Sequence, residues 1–156
     1  MDTDKRSLAR IDRDEFTAIA PGVVSHLRRV GAAVEESGLD KQLIELVKIR
    51  ISQINGCAFC VQYHLDIARG LDVPAAKLDQ LTVWPDTPIY SARERAALAW
   101  GEALTKMAQQ HVGDAIYTEL GEHFTREEVA NLTGAIGAIN AWNRIAGGLR
   151  YTPPSA

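Results

Sequence analysis

Asn55-Gly56-Cys57-Ala58-Phe59-Cys60-Val61-Gln62-Tyr63-His64 decides how this chain is read. Ten residues hold a helix break, a histidine and both of the protein's cysteines. Asn-Gly is a turn signal that ends or sharply kinks a helix arriving from upstream. On a new helix of about 3.6 residues per turn, Cys57, Cys60 and His64 project within about 60° of one another. Two thiols and an acid–base group on one face make a candidate thiol redox site. Glu45, twelve residues before Cys57, sits on the helix that enters the break. Packed as a hairpin, the two helices would turn its carboxylate towards the cysteines.

Working outward, apolar residues recur at three- and four-residue steps, Ala is abundant, and no segment alternates for long. The expectation is an all-α fold of about seven or eight helices. A first helix spans about 20–37, with Pro21 in its first turn and Gly38 as its stop. Asp40 caps the next, whose apolar stripe is Leu43, Leu46, Val47, Ile51 and Ile54. The cysteine helix starts near Cys57 and ends at Arg69, with Gly70 as its C′ residue. Pro74 opens a short helix through Leu81. Trp84-Pro85-Asp86-Thr87-Pro88 reads as a loop between two halves. Ser91–Glu94 and Thr125–Glu128 each form a capping box, opening helices to about Met107 and Gly147. A short helix lies near 114–121. From Thr152 the tail is expected to be extended and loosely held. No convincing internal repeat is present, and residues 1–156 read as a single domain.

The composition limits what this domain can do. At 156 residues it can bury a real core. Its net charge of −3 argues against nucleic acid or an anionic membrane surface as partner. No apolar run is long enough to span a bilayer. The stretch Met1–Arg6 lacks the apolar segment of a secretory signal, so the expected location is cytoplasmic. In a reducing compartment a C-x-x-C pair is more often catalytic or metal-binding than a structural staple.

A thiolate, not a thiol, is the nucleophile, and its formation needs a base, a nearby positive charge or a helix N-terminus. All three are on offer. Cys57 and Cys60 fall in the first helical turn, where unpaired N–H groups favour an anion. His64 follows one turn later and exchanges protons near neutral pH. A thiolate that attacks a peroxide becomes a sulfenic acid, and a neighbouring cysteine condenses with it to a disulfide. The spacing alone leaves peroxidase and disulfide-exchange chemistry both open. Zinc is a further alternative, with Glu45 as a fourth ligand beside Cys57, Cys60 and His64, but a second C-x-x-C is missing. Taken alone, Glu45 reads as a surface carboxylate paired with Lys41 or Lys48.

Glu45, eleven intervening residues, Cys57-x-x-Cys60 and x-x-x-His64 together resemble the core signature of the alkylhydroperoxidase D-like proteins, in the carboxymuconolactone decarboxylase superfamily. Glu45–Arg50 before the turn and Ala68-Arg69-Gly70-Leu71 after the histidine are similar too, and the strong match covers about 40–81. A weaker one continues to Trp142-Asn143-Arg144 and Pro153. The resemblance implies an all-helical fold and reduction of alkyl or hydrogen peroxide. By position, Cys60 would be the peroxidatic cysteine, Cys57 the resolving one, His64 the proton relay and Glu45 the general base behind it. It also implies an external dithiol as reductant, such as a lipoyl-bearing protein, and a trimeric or hexameric homo-oligomer. One departure stands out. The best-known peroxidase branch has a histidine immediately before the second cysteine, where this chain has Phe59. That leaves open a shorter relay or a more hydrophobic substrate.

Two further readings remain. One is a decarboxylase-type lyase using His64 and Glu45 without turning over thiols. The other is a non-enzymatic helical oligomer that senses redox state through Cys57 and Cys60. No metal, flavin or nicotinamide motif is visible, and no cofactor is expected. His26, His111 and His123 read as surface residues. Trp84, Trp100 and Trp142 read as core or subunit-contact aromatics. Tyr63 points about 100° from His64 and packs elsewhere on this reading. Asn143 and Arg144 would fix the last long helix against a neighbour.

Overall fold

The computed structural model describes residues 8–155. The Met1–Arg6 stretch and the final Ala156 of the tail lie outside the described residues. Every regular element within them is helical: α1 (Arg13–Ile19), α2 (Pro21–Glu36), α3 (Lys41–Asn55), α4 (Ala58–Gly70), α5 (Ala75–Asp79), a 3₁₀ segment (Leu81–Asp86), α6 (Ala92–Thr105), α7 (Asp114–His123) and α8 (Arg126–Leu149). None of these helices is long and apolar enough to cross a membrane.

The fold is organised around α3. It packs against α4, α6 and α8, with α2 lying across α8 and α7 against α6. The expected stripe of α3 is buried except for the half-buried Ile54, but Ile44 and Ile49 are buried as well. Neighbours on three sides leave this helix little solvent face, so its buried apolar residues spread beyond a single stripe. Gly101 lets α6 approach closely: a Cβ there would meet Val47 Cγ1 at 3.2 Å and Ile51 Cδ1 at 3.3 Å.

Local chemistry sets most helix ends. Asp40 accepts from Leu43 N–H, and Ser91 and Thr125 form complete capping boxes with Glu94 and Glu128. Three of the sequence expectations need correction. The helix before residue 20 exists: Asp12 caps α1 by accepting from Arg13 N–H. The stop of α4 is Asp72, not Gly70. Gly70 is the last helical residue, and Asp72 takes φ +58° while Val73 N–H reaches back to Ala68 carbonyl. This is a Schellman closure without glycine. The Trp84–Pro88 stretch is no open loop, because Trp84 is buried in the 3₁₀ segment. Arg95 ties that stretch down through the carbonyls of Trp84, Pro85 and Thr87.

The tail is the largest departure. Arg150 at φ +58° ends α8, and Tyr151 turns inward and is buried. Thr152 gives both its backbone N–H and its hydroxyl to Asp12, at 3.0 and 2.8 Å. Arg10 N–H donates to Leu149 carbonyl at 2.8 Å. The N-terminal helix and the tail are therefore clasped together. The pattern signals are local, and this pairing spans 140 residues of chain.

Asn143 holds α8 on α3, as expected. Its amide donates to the fully buried Ser52 hydroxyl at 3.0 Å, and its oxygen accepts from Asn55 at 2.9 Å. Arg144 instead bonds within α8, to Asn140. Replacing Asn143 by Ala strips Ser52 and Asn55 of that partner, at a cost of about 2 kcal/mol. Urea denaturation should show a lowered midpoint with an unchanged slope. An unchanged midpoint would mean the network carries no stability.

Candidate active site

Gly56 makes the site. At φ +67° it closes α3 by a Schellman turn, with Gly56 N–H on Gln53 carbonyl at 3.2 Å and Cys57 N–H on Ser52 carbonyl at 3.1 Å. Cys57 is at once the residue that ends this motif and the N-cap of α4. Its φ/ψ of −87°/96° is extended, and its Sγ accepts from Cys60 N–H at 3.2 Å. The expectation of both cysteines inside the first turn is thus refined. The capping bond belongs to Cys57, and Cys60 sits within the helix.

The two sulfurs are bonded, with Cα atoms 5.3 Å apart. Both cysteines are nearly sealed, Cys57 at 1% exposure and Cys60 at 3%. They pack with Ala146, Tyr151, Phe16, Phe59, Ile145 and Leu149, so α1, α8 and the tail wall them in. Trp142 carbonyl lies 4.0 Å from Cys60 Sγ.

The structure brings Glu45 and His64 together across the α3–α4 hairpin. Glu45 is 5% exposed, and its Oε2 is 2.7 Å from His64 Nδ1. Its Oε1 accepts from Lys48 Nζ at 2.9 Å. Burial pushes the Glu45 carboxyl up, but the hydrogen bond and charge of His64, joined by Lys48, outweigh it and hold it below the ordinary glutamate value. An ionised carboxylate only accepts, so Nδ1 carries the hydrogen and donates. That fixes the ring and leaves Nε2 as the nitrogen able to take up a proton.

Cys60, His64, Glu45 and Lys48 all line one cavity of about 460 Å³, which is the size of a small-molecule site. Cys57 lies behind it, its Cβ 3.7 Å from where a Cβ on Gly147 of α8 would sit. Tyr63 is also on the cavity wall, contrary to expectation. Its ring stacks on Phe59 at 5.7 Å and meets the His64 ring edge-on at 5.2 Å. Trp142 lines the cavity too, whereas Trp84 and Trp100 are core residues. His26 and His111 are exposed, but His123 is half-buried.

Lys48 is as expected for a helix pair three residues apart, while Lys41 turns to Glu35 at 3.7 Å. Arg13, Arg28 and Tyr151 also line the cavity, with no local sequence signal that points to them. They come from elements far from the cysteines along the chain, and no spacing rule links them. Among the described residues, no three His, Cys, Asp or Glu side chains converge to form a metal cluster.

Comparison with known proteins identifies the family and the fold. Residues 21–103, from α2 to α6, match the carboxymuconolactone decarboxylase family. The uncharacterised protein YdfG of Bacillus subtilis (strain 168) is 34% identical over 134 residues, covering 86% of this chain and 91% of YdfG. The crystal structure of ATU0492 from Agrobacterium tumefaciens superposes with a TM-score of 0.89 at 38% identity, over 95% of this chain and 99% of that one. ATU0492 is a protein of unknown function named as a candidate antioxidant defence protein AhpD. A peroxidase-related protein with an alkylhydroperoxidase AhpD core from Ralstonia eutropha JMP134 superposes at 0.78 with 25% identity, over 90% of this chain and 75% of that one. The chain belongs to the carboxymuconolactone decarboxylase family, among its alkylhydroperoxidase D-like members.

Proposed function

We propose that the protein is a thiol-dependent peroxidase in which Cys60 is the attacking sulfur, Cys57 the resolving one, His64 the proton carrier and Glu45 its orienting base. The observation that carries this reading is the buried Glu45 carboxylate bonded to His64 Nδ1 at 2.7 Å, on the wall of the same cavity as Cys60. An imidazole oriented by a carboxylate, with its second nitrogen free, is the usual activator of a weak nucleophile.

In the reduced protein His64 Nε2 takes the Cys60 proton. The thiolate attacks the distal peroxide oxygen; an S–O bond forms, the O–O bond breaks, and the departing alkoxide takes the proton back from His64. Glu45 stabilises the transient imidazolium. The Cys57 thiol then attacks the Cys60 sulfur of the sulfenic acid, forming the disulfide and releasing water. An external dithiol reopens it. That dithiol reaches Cys60, on the cavity side, and the leaving group is Cys57, whose charge the Cys60 N–H at 3.2 Å receives. The balance is one peroxide and one dithiol consumed, with one alcohol, one water and one new disulfide formed. A lipoyl-bearing protein would suit as donor, and a cytoplasmic homo-oligomer would suit the exposed apolar residues Ile19, Val23 and Val30.

Mass spectrometry after one equivalent of peroxide tests the cycle. The reduced protein should lose two hydrogens within the peptide carrying Cys57 and Cys60. Cys57→Ser should stop after one turnover with Cys60 oxidised. A Cys57→Ser variant that decarboxylates a small lactone as well as wild type does would point to lyase chemistry instead, and a wild-type protein that reacts once with peroxide despite supplied dithiol would be a sensor. Replacing His64 by Ala should slow the peroxide step about a hundredfold or more.

The depressed Glu45 carboxyl also predicts a pH dependence of stability. A group whose folded value lies below its unfolded one stabilises the fold above the unfolded value and stops doing so as pH falls through the folded one. Wild type should therefore exceed Glu45→Gln in stability just above the ordinary value of 4.5, and that advantage should shrink as pH falls below it. A gap that widens on acidification would reverse the assignment.

A further inference from the structure

The cavity beside Cys60 has an uneven charge pattern. Its walls are largely apolar, with Val24 and Leu27 of α2, Ile67 of α4, and Ile139 and Trp142 of α8. Charged groups face it from α1 (Arg13), α2 (Arg28, Glu35) and α3 (Lys41, Glu45, Lys48), with the His64 imidazole of α4 beside them. Both carboxylates are already engaged. Glu35 pairs with Lys41 at 3.7 Å, and Glu45 with Lys48 at 2.9 Å and His64 at 2.7 Å. Among the described residues, Arg13 and Arg28 are left with no carboxylate partner.

Arg13 is nevertheless held in place. Its guanidinium carbon lies 5.9 Å from the Phe59 ring centre and 5.6 Å from that of Tyr63, the two rings that flank Cys60 on α4. Asp12, next to it, is clasped to Thr152, which fixes the start of α1 over α4. A guanidinium anchored by rings beside an apolar cavity has its five donors free for an oxyanion.

We infer that this cavity takes an amphiphilic carboxylate, with the alkyl chain along the apolar wall and the head group on Arg13 and Arg28. Combined with the peroxidase reading, on which only this step rests, the substrate class is the hydroperoxide of a long-chain carboxylic acid. The chain supplies burial of apolar surface removed from water. The two guanidiniums supply charge-assisted hydrogen bonds, which select the acid over its ester.

Binding is measured first, by calorimetry with submicellar oleate on the full-length protein. Oleate should bind about tenfold or more tightly than methyl oleate, as expected for loss of a hydrogen-bonded charge. Arg13→Gln/Arg28→Gln should erase that preference, and Arg28→Lys in place of Arg28→Gln should restore part of it. Equal affinity for oleate and its ester would overturn the inference. So would no binding of either, the result expected if a second copy of the chain fills the cavity. The kinetic arm compares linoleic acid hydroperoxide with its methyl ester. The acid should show the lower KM, and Arg28→Gln should narrow the gap. Oleate binding without turnover of any peroxide would sink the peroxidase reading and leave the ligand class standing. Turnover of both hydroperoxides at equal KM would do the reverse.

Discussion

One left-handed residue governs the arrangement. Gly56 at φ +67° folds α4 back against α3, and a side chain at that angle would be strained. Because Cys57 both completes the turn and caps α4, the cysteine pair cannot slide along the chain relative to the break. Glu45 lies eleven residues before Gly56 and His64 eight after it, about 16 and about 12 Å of helix rise from the turn. That difference is within the span of a glutamate and a histidine side chain, and the two meet at 2.7 Å. The spacing from glutamate to cysteines to histidine is thus the length scale of a helical hairpin written into sequence.

The hairpin puts a carboxylate where its charge is expensive. Glu45 sits on a helix enclosed by α4, α6 and α8, and burial alone would neutralise it. Glu102 on α6 faces the same problem and solves it differently. It accepts from Arg50 Nε at 2.6 Å and Trp84 Nε1 at 2.9 Å, both of which can only donate. Both carboxyls end below their ordinary value. Only Glu45 is bonded to an imidazole that shares a cavity with a sulfur. The Glu102 network can hold α3, α6 and the 3₁₀ segment together. The Glu45 network ends instead on a cavity-lining imidazole.

What the sequence revealed follows from which signals are local. The caps at Asp40, Ser91 and Thr125, the break at Asn55-Gly56 and the helical periodicity of α3 and α8 all act within a turn or two, and the structure keeps them. Glu45, Cys60 and His64 share one cavity wall, with Cys57 bonded to Cys60 behind it, because a single hairpin joins them. Asp72 and Arg150 were opaque as helix stops, since left-handed conformation is a weak preference outside glycine. The clasp of Asp12 with Thr152 was invisible for a different reason. An aspartate and a threonine are common surface residues, and only the folded path of α8 brings them together.

That clasp shapes the chemistry as much as the hairpin does. Asp12 is half-buried, and hydrogen bonds from Thr152 and Arg13 N–H groups hold its carboxyl below the ordinary aspartate value. The latch is therefore a charge-assisted one and persists at neutral pH. It draws α1 and the tail across the cysteine helix, delivering Phe16 and Tyr151 to the wall around the sulfurs. It also delivers Arg13 to the rings of Phe59 and Tyr63. Phe59 then has a structural purpose, since its ring is the floor on which the guanidinium and Tyr151 both rest. A histidine there would put a second proton-carrying ring beneath the guanidinium. An apolar ring instead turns this side of the cavity from a proton relay into a wall with a fixed positive charge above it.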